Sequence, residues 1–427
     1  MNKNTFYTFS LGCKVNSYEC SALASELIRR GYKEDKIDPE VVIINTCSVT
    51  STADQKSRQH IRKFINNFKD AIIVAMGCYV QGHADFVRNE IKPNIIVGTS
   101  NRNKIPDYIE QFKKDGIQIC DVDKNTRAFT YEELGTTSDS ENIRAYLKVG
   151  DGCDNFCSYC LIPYRRGALR SRSLINIVKE AEYLIKQGYK EIVLTGIHVG
   201  GYGKDFKDGS FSTLVETLLD IPGLYSLRIS SIEESEIDEK LIELINTKDN
   251  LAKHLHIPLQ SGCDETLKRM HRKYTCEQFF NKIQNLKKAC PNVAITTDVI
   301  TGFCGETEEE FAETKQFIKK CGFHMLHVFP FSLREGTLAA TMKDQVDEKI
   351  KKDRCRDLIK LSKELYEEYA TSFVGQELNV LVERYDSVKK VNIGHTSNYL
   401  EIAIPSIEER VGEVINVILT KDMIVSQ

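Results

Sequence analysis

The chain reads as an α/β protein in three parts: an N-terminal Rossmann-like parallel sheet, a central partial (β/α)6 barrel and a C-terminal small antiparallel β-barrel. Three observations predict this. Short apolar runs alternate with helical patterns through the first hundred residues, the alternation resumes at longer period after a polar linker at 135–142, and from Phe373 onward the chain turns to short strands with glycine at the bends. A length of 427 residues exceeds one ordinary domain, and an apolar content of 41% is enough for several cores. The expected domains span 1–115, 139–370 and 371–427.

In the first part, 6–11, 41–45 and 71–76 read as buried strands, and 17–30 and 53–68 carry apolar residues at helical spacing. A β-α-β-α-β order implies a parallel sheet. Cys13, Cys47 and Cys78 each follow one of the strands. Strand carboxyl ends share one edge of such a sheet, where these folds bind ligands. Three thiols 34 and 31 residues apart are thereby expected to converge. Metal binding and plain burial of small side chains both fit that placement.

The central part offers strands at 144–149, 191–195, 224–230, 254–258, 294–300 and 325–329, with helices at 174–187, 214–219, 237–246, 276–288 and 308–320. Six units fall short of the usual eight, leaving a lateral opening suited to a macromolecular substrate, and the active face lies at the strand carboxyl ends. A charged amphipathic helix is expected at 343–370. The segments ELNVLVERY, KKVNIGHT, NYLEIAI and GEVINVILT then fit a small barrel of the OB kind.

Just after the first barrel strand, Cys153, Cys157 and Cys160 fall within eight residues, GCDNFCSYC. A four-iron cluster used only for electron transfer takes a thiolate on each iron, so three cysteines leave one iron open for chemistry. Zinc wants a fourth ligand at short spacing, and the next Cys or His downstream is His198. Fourteen cysteines, no signal-peptide pattern and no apolar run of bilayer length predict reduced thiols, a cytoplasmic protein and no membrane partner. The net charge of -3 decides nothing about polyanionic partners, which respond to local patches.

CxxxCxxC with an aromatic residue, Tyr159, before the last Cys resembles the signature of the radical S-adenosylmethionine (SAM) enzymes. LGCKVNSYE, INTCSVT with KSRQHIR, and MGCYVQ resemble the N-terminal domain of the methylthiotransferase branch, and the resemblance covers essentially the whole chain. It implies a 4Fe-4S cluster on Cys153, Cys157 and Cys160 that binds SAM, and an auxiliary 4Fe-4S cluster on Cys13, Cys47 and Cys78. Two SAM molecules per turnover are implied, as methyl donor and radical source, with a reducing electron-donor protein; the sulfur source is left open. SAM contacts are expected from Tyr159, Thr195, Gly196, His198, Ser230, Ser231, Glu233, Gln260, Ser261, Val299 and Gly302. The C-terminal part resembles the TRAM RNA-binding domain, although residues 372–427 hold five Lys or Arg against eight Asp or Glu.

RNA phosphate contacts are expected from Arg165, Arg166, Arg170 and Arg172 in YRRGALRSR, and from Lys56, Arg58, Arg62 and Lys63 in KSRQHIRK. LGCKVN, TGIHVGGYG and HVFPFSLREGT look most like the branch that methylthiolates C2 of N6-threonylcarbamoyladenosine beside the tRNA anticodon, at position 37. The N6-isopentenyladenosine branch usually has Gln in place of Lys14, and a sister branch acts on an aspartate of ribosomal protein S12. Threonylcarbamoyl carries a carboxylate that calls for a cation, and Arg165, Arg166 and Arg334 are the expected candidates.

Overall fold

The structure, a computed structural model, describes residues 3–137, 143–207 and 209–426; residues 138–142 of the expected linker lie outside the described residues. Its first part is a six-stranded, all-parallel sheet: β1 (Thr5–Ser10), β2 (Lys33–Glu34), β3 (Val41–Thr46), β4 (Ile72–Gly77), β5 (Ile95–Val97) and β6 (Ile119–Asp121), in the order β2-β1-β3-β4-β5-β6. Three of these strands were not expected, because two or three residues are too few to establish a period. β3 and β4 are buried at every residue, as a parallel sheet covered on both faces requires. Helix α1 (Lys14–Arg29) packs Leu23 and Leu27 against one face, and α2 (Ser51–Asn67) packs Ile61 and Phe64 against the other. The strand order reverses between β1 and β3, so a crevice opens at their carboxyl ends.

The six expected barrel strands all form. β7 (Arg144–Asp151), β9 (Glu191–Gly196) and β10 (Ser226–Ile229) are parallel, with β8 (Arg170–Ser171) antiparallel on the edge of β7. β11 (His254–His256), β12 (Ala294–Thr301) and β13 (Met325–Pro330) make a second parallel set. The barrel wall is thus divided between β10 and β11, and β11 stops short of Pro258, which has no N–H to give. Leu147, Leu194, Leu227, Leu255 and Ile295 nevertheless share one core.

The long helix Glu348–Thr371 starts five residues later than expected because Asp347 caps it, its side chain accepting from the Lys349 N–H. β14 (Glu377–Asp386), β15 (Val391–Thr396), β16 (Glu401–Pro405) and β17 (Val414–Ile418) form an antiparallel sheet, β16-β15-β14-β17. Its Val380 and Ile402, with Leu419 just after β17, pack on Tyr366 and Ala370 of that helix and on Met325 of the barrel. Among the described residues no helix is long and apolar enough to cross a membrane.

Candidate active site

The carboxyl edge of the N-terminal sheet faces the carboxyl ends of the barrel strands across a cavity of about 680 Å³, a size that suits a cofactor or nucleoside. Gly12, Cys13, Lys14, Cys47 and Cys78 line it from one side. Thr195, Gly196, Ser230, Ser231, His256 and Asp298 line it from the barrel, and Tyr399 reaches in from the C-terminal sheet.

Cys13 precedes α1 as its N-cap, Cys47 follows β3 directly, and Cys78 opens the short helix α3 (Cys78–Gly82). Gly12 has φ +100°, and a Cβ there would stand 2.6 Å from the Cys47 sulfur, so only glycine lets these loops approach. Burial raises the pKa of Cys13 and pushes the Cys47 thiol up to about 11, with the neighbouring thiols adding to the effect. Ionising Cys13 and Cys47 therefore needs compensating positive charge. Arg166 supplies some: its Nε donates to Cys78 Sγ at 3.2 Å and its Nη2 to Asn16 Oδ1 at 2.9 Å, and that oxygen accepts from Cys13 Sγ at 3.6 Å. Thiols backed by hydrogen bonds to sulfur fit an iron-sulfur cluster. Among the described residues no three His, Cys, Asp or Glu are placed to hold a single metal ion, a convergence that a cube with one thiolate per iron does not need.

The second triad lies on the loop after β7. A Cβ on Gly152, at φ +72°, would fall 1.8 Å from the Ala168 carbonyl oxygen, so this turn too is closed to other residues. The loop is pinned where Ser158 N donates to Met270 O at 3.0 Å and Ala339 N donates to Ser158 O at 2.8 Å. Arg272, paired with Glu233, donates from Nη1 to Cys157 Sγ at 3.4 Å. His198 stands between Cys153 Sγ, 3.8 Å from its Nδ1, and Glu236, 2.7 Å from its Nε2. Burial pushes the Cys160 thiol up to about 12. Each triad thus has one buried guanidinium against a cysteine sulfur.

The predicted cofactor residues divide. Thr195, Gly196, Ser230 and Ser231 line the shared cavity. Tyr159 packs edge-on against Phe303, with ring centroids 6.3 Å apart. Glu233 and His198 instead line a smaller cavity beside Cys157. The Ser261 hydroxyl lies 3.2 Å from that of Thr314. Gln260, at φ +66°, uses its backbone to pair with β12, and the Gly302 N–H donates to Glu306 at 2.8 Å. Val299 is a correction: its side chain is fully buried in the barrel core, because strand alternation turns Asp298 to the cavity instead.

The arginines need a larger correction. Arg166, Arg170, Arg172 and Arg334 are buried, not presented to RNA or to a substrate carboxylate. Glu19 of α1 pairs with Arg102, with Lys148 at 3.0 Å and with Arg166 at 2.6 Å; Asp151 takes Lys148 at 2.7 Å, Arg166 at 3.2 Å and Arg170 at 3.7 Å. Arg172 pairs with Glu180 and Glu133, and Arg334 with Asp54 at 2.6 Å. A charge so deep is kept only when paired, and these pairs join the N-terminal sheet to the barrel. Arg165 remains: it is half-buried, and among the described residues no carboxylate lies within 4 Å of it. Lys56, Arg62 and Lys63 are exposed on α2, and Arg58 lies over the Tyr79 ring.

Sequence reasoning missed Lys14, His254, His256, Asp298, His327 and Tyr399 in the cavity wall. For the barrel residues a signal existed. HLH and LHV place polar residues at alternate positions in otherwise apolar strands, the mark of a polar inward face, and TTD is a polar run inside the apolar strand between them. Tyr399 carried none; it stacks on His254 with ring centroids 4.4 Å apart.

Comparison with known proteins bears on the same regions. The family model described as Radical SAM superfamily matches residues 147–318, and the one described as Uncharacterized protein family UPF0004 matches residues 5–98. The chain is 44% identical over 418 residues to threonylcarbamoyladenosine tRNA methylthiotransferase MtaB of Bacillus subtilis, covering 96% of this chain and 93% of that one. It is 36% identical to tRNA-2-methylthio-N(6)-dimethylallyladenosine synthase of Protochlamydia amoebophila, covering 89% and 85%. Among solved structures, the radical SAM methyltransferase TsrM of Kitasatospora setae matches with a TM-score of 0.58 at 12% identity, over 77% of this chain and 75% of that one, a likeness of fold. A family model on the barrel and relatives this similar along nearly the full length lead to one conclusion: the chain belongs to the radical SAM methylthiotransferases, enzymes that transfer methylthio groups.

Proposed function

We propose that this enzyme acts in the cytoplasm on tRNA, methylthiolating C2 of N6-threonylcarbamoyladenosine at position 37 to give 2-methylthio-N6-threonylcarbamoyladenosine. The observation that carries the reading is the single cavity onto which Cys13, Cys47 and Cys78 open opposite Thr195, Gly196, Ser230 and Ser231. The choice of nucleoside is supported by the 44% identity to a relative named for threonylcarbamoyladenosine. Cys153, Cys157 and Cys160 would hold one 4Fe-4S cluster, and Cys13, Cys47 and Cys78 a second. Bound there with two SAM molecules, one as methyl donor and one as radical source, these groups supply methyl transfer, radical generation and sulfur insertion.

The chain's own residues position and exclude. Gly196 offers bare backbone on the cavity wall, Ser230 and Ser231 offer hydroxyls, and the apolar Val49, Ile162 and Phe329 keep part of the wall dry. Arg165 and the exposed basic residues of α2 would take tRNA phosphates, which position RNA without specifying it. An adenosine in an anticodon loop is already largely single-stranded, so turning it into a cavity costs little. The reductant is an electron-donor protein.

Two measurements test this. Anaerobically reconstituted enzyme should bind about eight irons, and serine at any of the six cysteines should lower that to about four. Nucleoside analysis of tRNA from a deletion strain should lack 2-methylthio-N6-threonylcarbamoyladenosine only. Loss of the isopentenyl derivative, or of the methylthioaspartate of ribosomal protein S12, would replace the substrate.

A further inference from the structure

Lys14 is the first residue of α1 and the neighbour of Cys13. A cation at the positive end of a helix dipole works against the helix, and the first turn of α1 holds no acidic residue to offset it. Local rules broken in this way mark functional positions.

Its surroundings sharpen the point. Lys14 lines the shared cavity, and among the described residues no carboxylate lies within 4 Å of its ammonium. The other charges nearby are occupied. Arg228 lies 2.8 Å from Glu191, Arg144 pairs with Glu191 and lies 2.8 Å from Glu383, and Asp298 is 3.3 Å from His256. His254 and His327 are held uncharged chiefly by burial. Arg165, which likewise has no carboxylate within 4 Å among the described residues, is not on the cavity wall.

We propose that Lys14 binds the carboxylate of the threonylcarbamoyl group and so selects this nucleoside; the inference rests on the substrate reading above. A lysine ammonium gives a carboxylate a charge-assisted hydrogen bond. Lys14 is exposed on the open cavity wall, so an uncharged hydrocarbon substituent seated against it would strip water from the ammonium without pairing it, and the same residue both attracts the acid and disfavours the hydrocarbon.

The test uses reconstituted holoenzyme and anticodon stem-loops of one sequence carrying N6-threonylcarbamoyladenosine, its methyl ester or N6-isopentenyladenosine. Wild type, Lys14→Gln, Lys14→Arg and Arg165→Gln are compared by kcat/KM for the methylthio product, by Kd without reductant, and by iron content. Wild type should prefer the acid over the ester by about tenfold or more in kcat/KM and in Kd. Lys14→Gln should lose that preference with iron content unchanged, Lys14→Arg should regain part of it, and Arg165→Gln should weaken all three RNAs alike. A preference that survives Lys14→Gln, or that is lost in Arg165→Gln, would overturn the inference. So would iron lost in Lys14→Gln in step with activity, which would make Lys14 a support for Cys13. Wild type active on the isopentenyl RNA but not on the acid would overturn the substrate reading itself.

Discussion

Replacing Glu19 by Gln should uncouple the N-terminal sheet from the barrel. Glu19 is fully buried on α1, pairs with Arg102, and accepts from Lys148 at 3.0 Å, Arg166 at 2.6 Å and Asn45 at 3.0 Å. Those donors come from four separate segments of the chain. Removing its charge leaves four buried cations, Arg102, Lys148, Arg166 and Arg170, facing Asp151, with Glu132 at the edge of Arg102. Removing one member of a buried ion pair costs about 3–5 kcal/mol, and Gln keeps the volume, so no cavity adds to that. With a urea m-value of roughly 2 kcal/mol/M, the midpoint of the transition that includes this junction should fall by roughly 1.5–2.5 M.

The chain has no Trp, so far-UV circular dichroism is the natural probe, with each domain's transition resolved separately. Burial alone would raise the Glu19 pKa, but Arg102, Arg166 and Lys148 outweigh it and hold the carboxyl below its ordinary range. Between the folded and unfolded pKa the unfolded chain binds the extra proton. The stabilisation is therefore complete above the unfolded value of about 4.3 and is lost as pH falls below it, by at most about 1.4 kcal/mol per pH unit. The gap between wild type and Glu19→Gln should be constant from about pH 8 to pH 5.5 and narrow by about pH 3.5. A midpoint shift under about 0.5 M, or a gap unchanged at that acid pH, would refute the reasoning.

Three further substitutions probe other contacts. Gly12→Ala forces a Cβ to within 2.6 Å of the Cys47 sulfur, so iron analysis should show about half the metal lost while uncoupled SAM cleavage persists. Arg272→Met removes the donor 3.4 Å from Cys157 Sγ, and an EPR-monitored redox titration should find the potential at that triad lowered, on the order of tens of millivolts. Arg228 bridges Glu191 to the Thr396 and Ser397 carbonyls at 3.3 and 3.2 Å, so Arg228→Met should speed hydrogen exchange around 396–400 by about tenfold or more. Exchange changes confined to the barrel would show that Arg228 does not anchor the C-terminal sheet.

Much of the fold was legible because its strands repeat at a recognisable period. All six barrel strands and all four C-terminal strands lie where alternating or continuous apolar runs predict them. The misses have physical causes. β5 and β6 hold three residues each, too few for periodicity to register, and the long helix starts where Asp347 can cap it rather than where charge patterning begins. Arg166 and Arg172 read as part of an RNA-contacting basic strip because sequence carries no depth. Their acid partners Glu19 and Glu180 sit 147 and 8 residues away, on helices whose packing decides which charges are buried.

What the sequence determined by itself was the chemistry on offer: two cysteine triads, one declared by CxxxCxxC and the other by thiols at three successive strand ends, and the α/β architecture that gives strand ends a common edge. The tertiary structure decided how the two edges meet. It set both over one cavity, withdrew four arginines into ion pairs, turned Asp298 rather than Val299 inward, and left Lys14 as a cation with no carboxylate beside it among the described residues. The physical reason is that strand position follows from local periodicity, whereas the pairing of a buried charge depends on which distant segment the packed core brings against it.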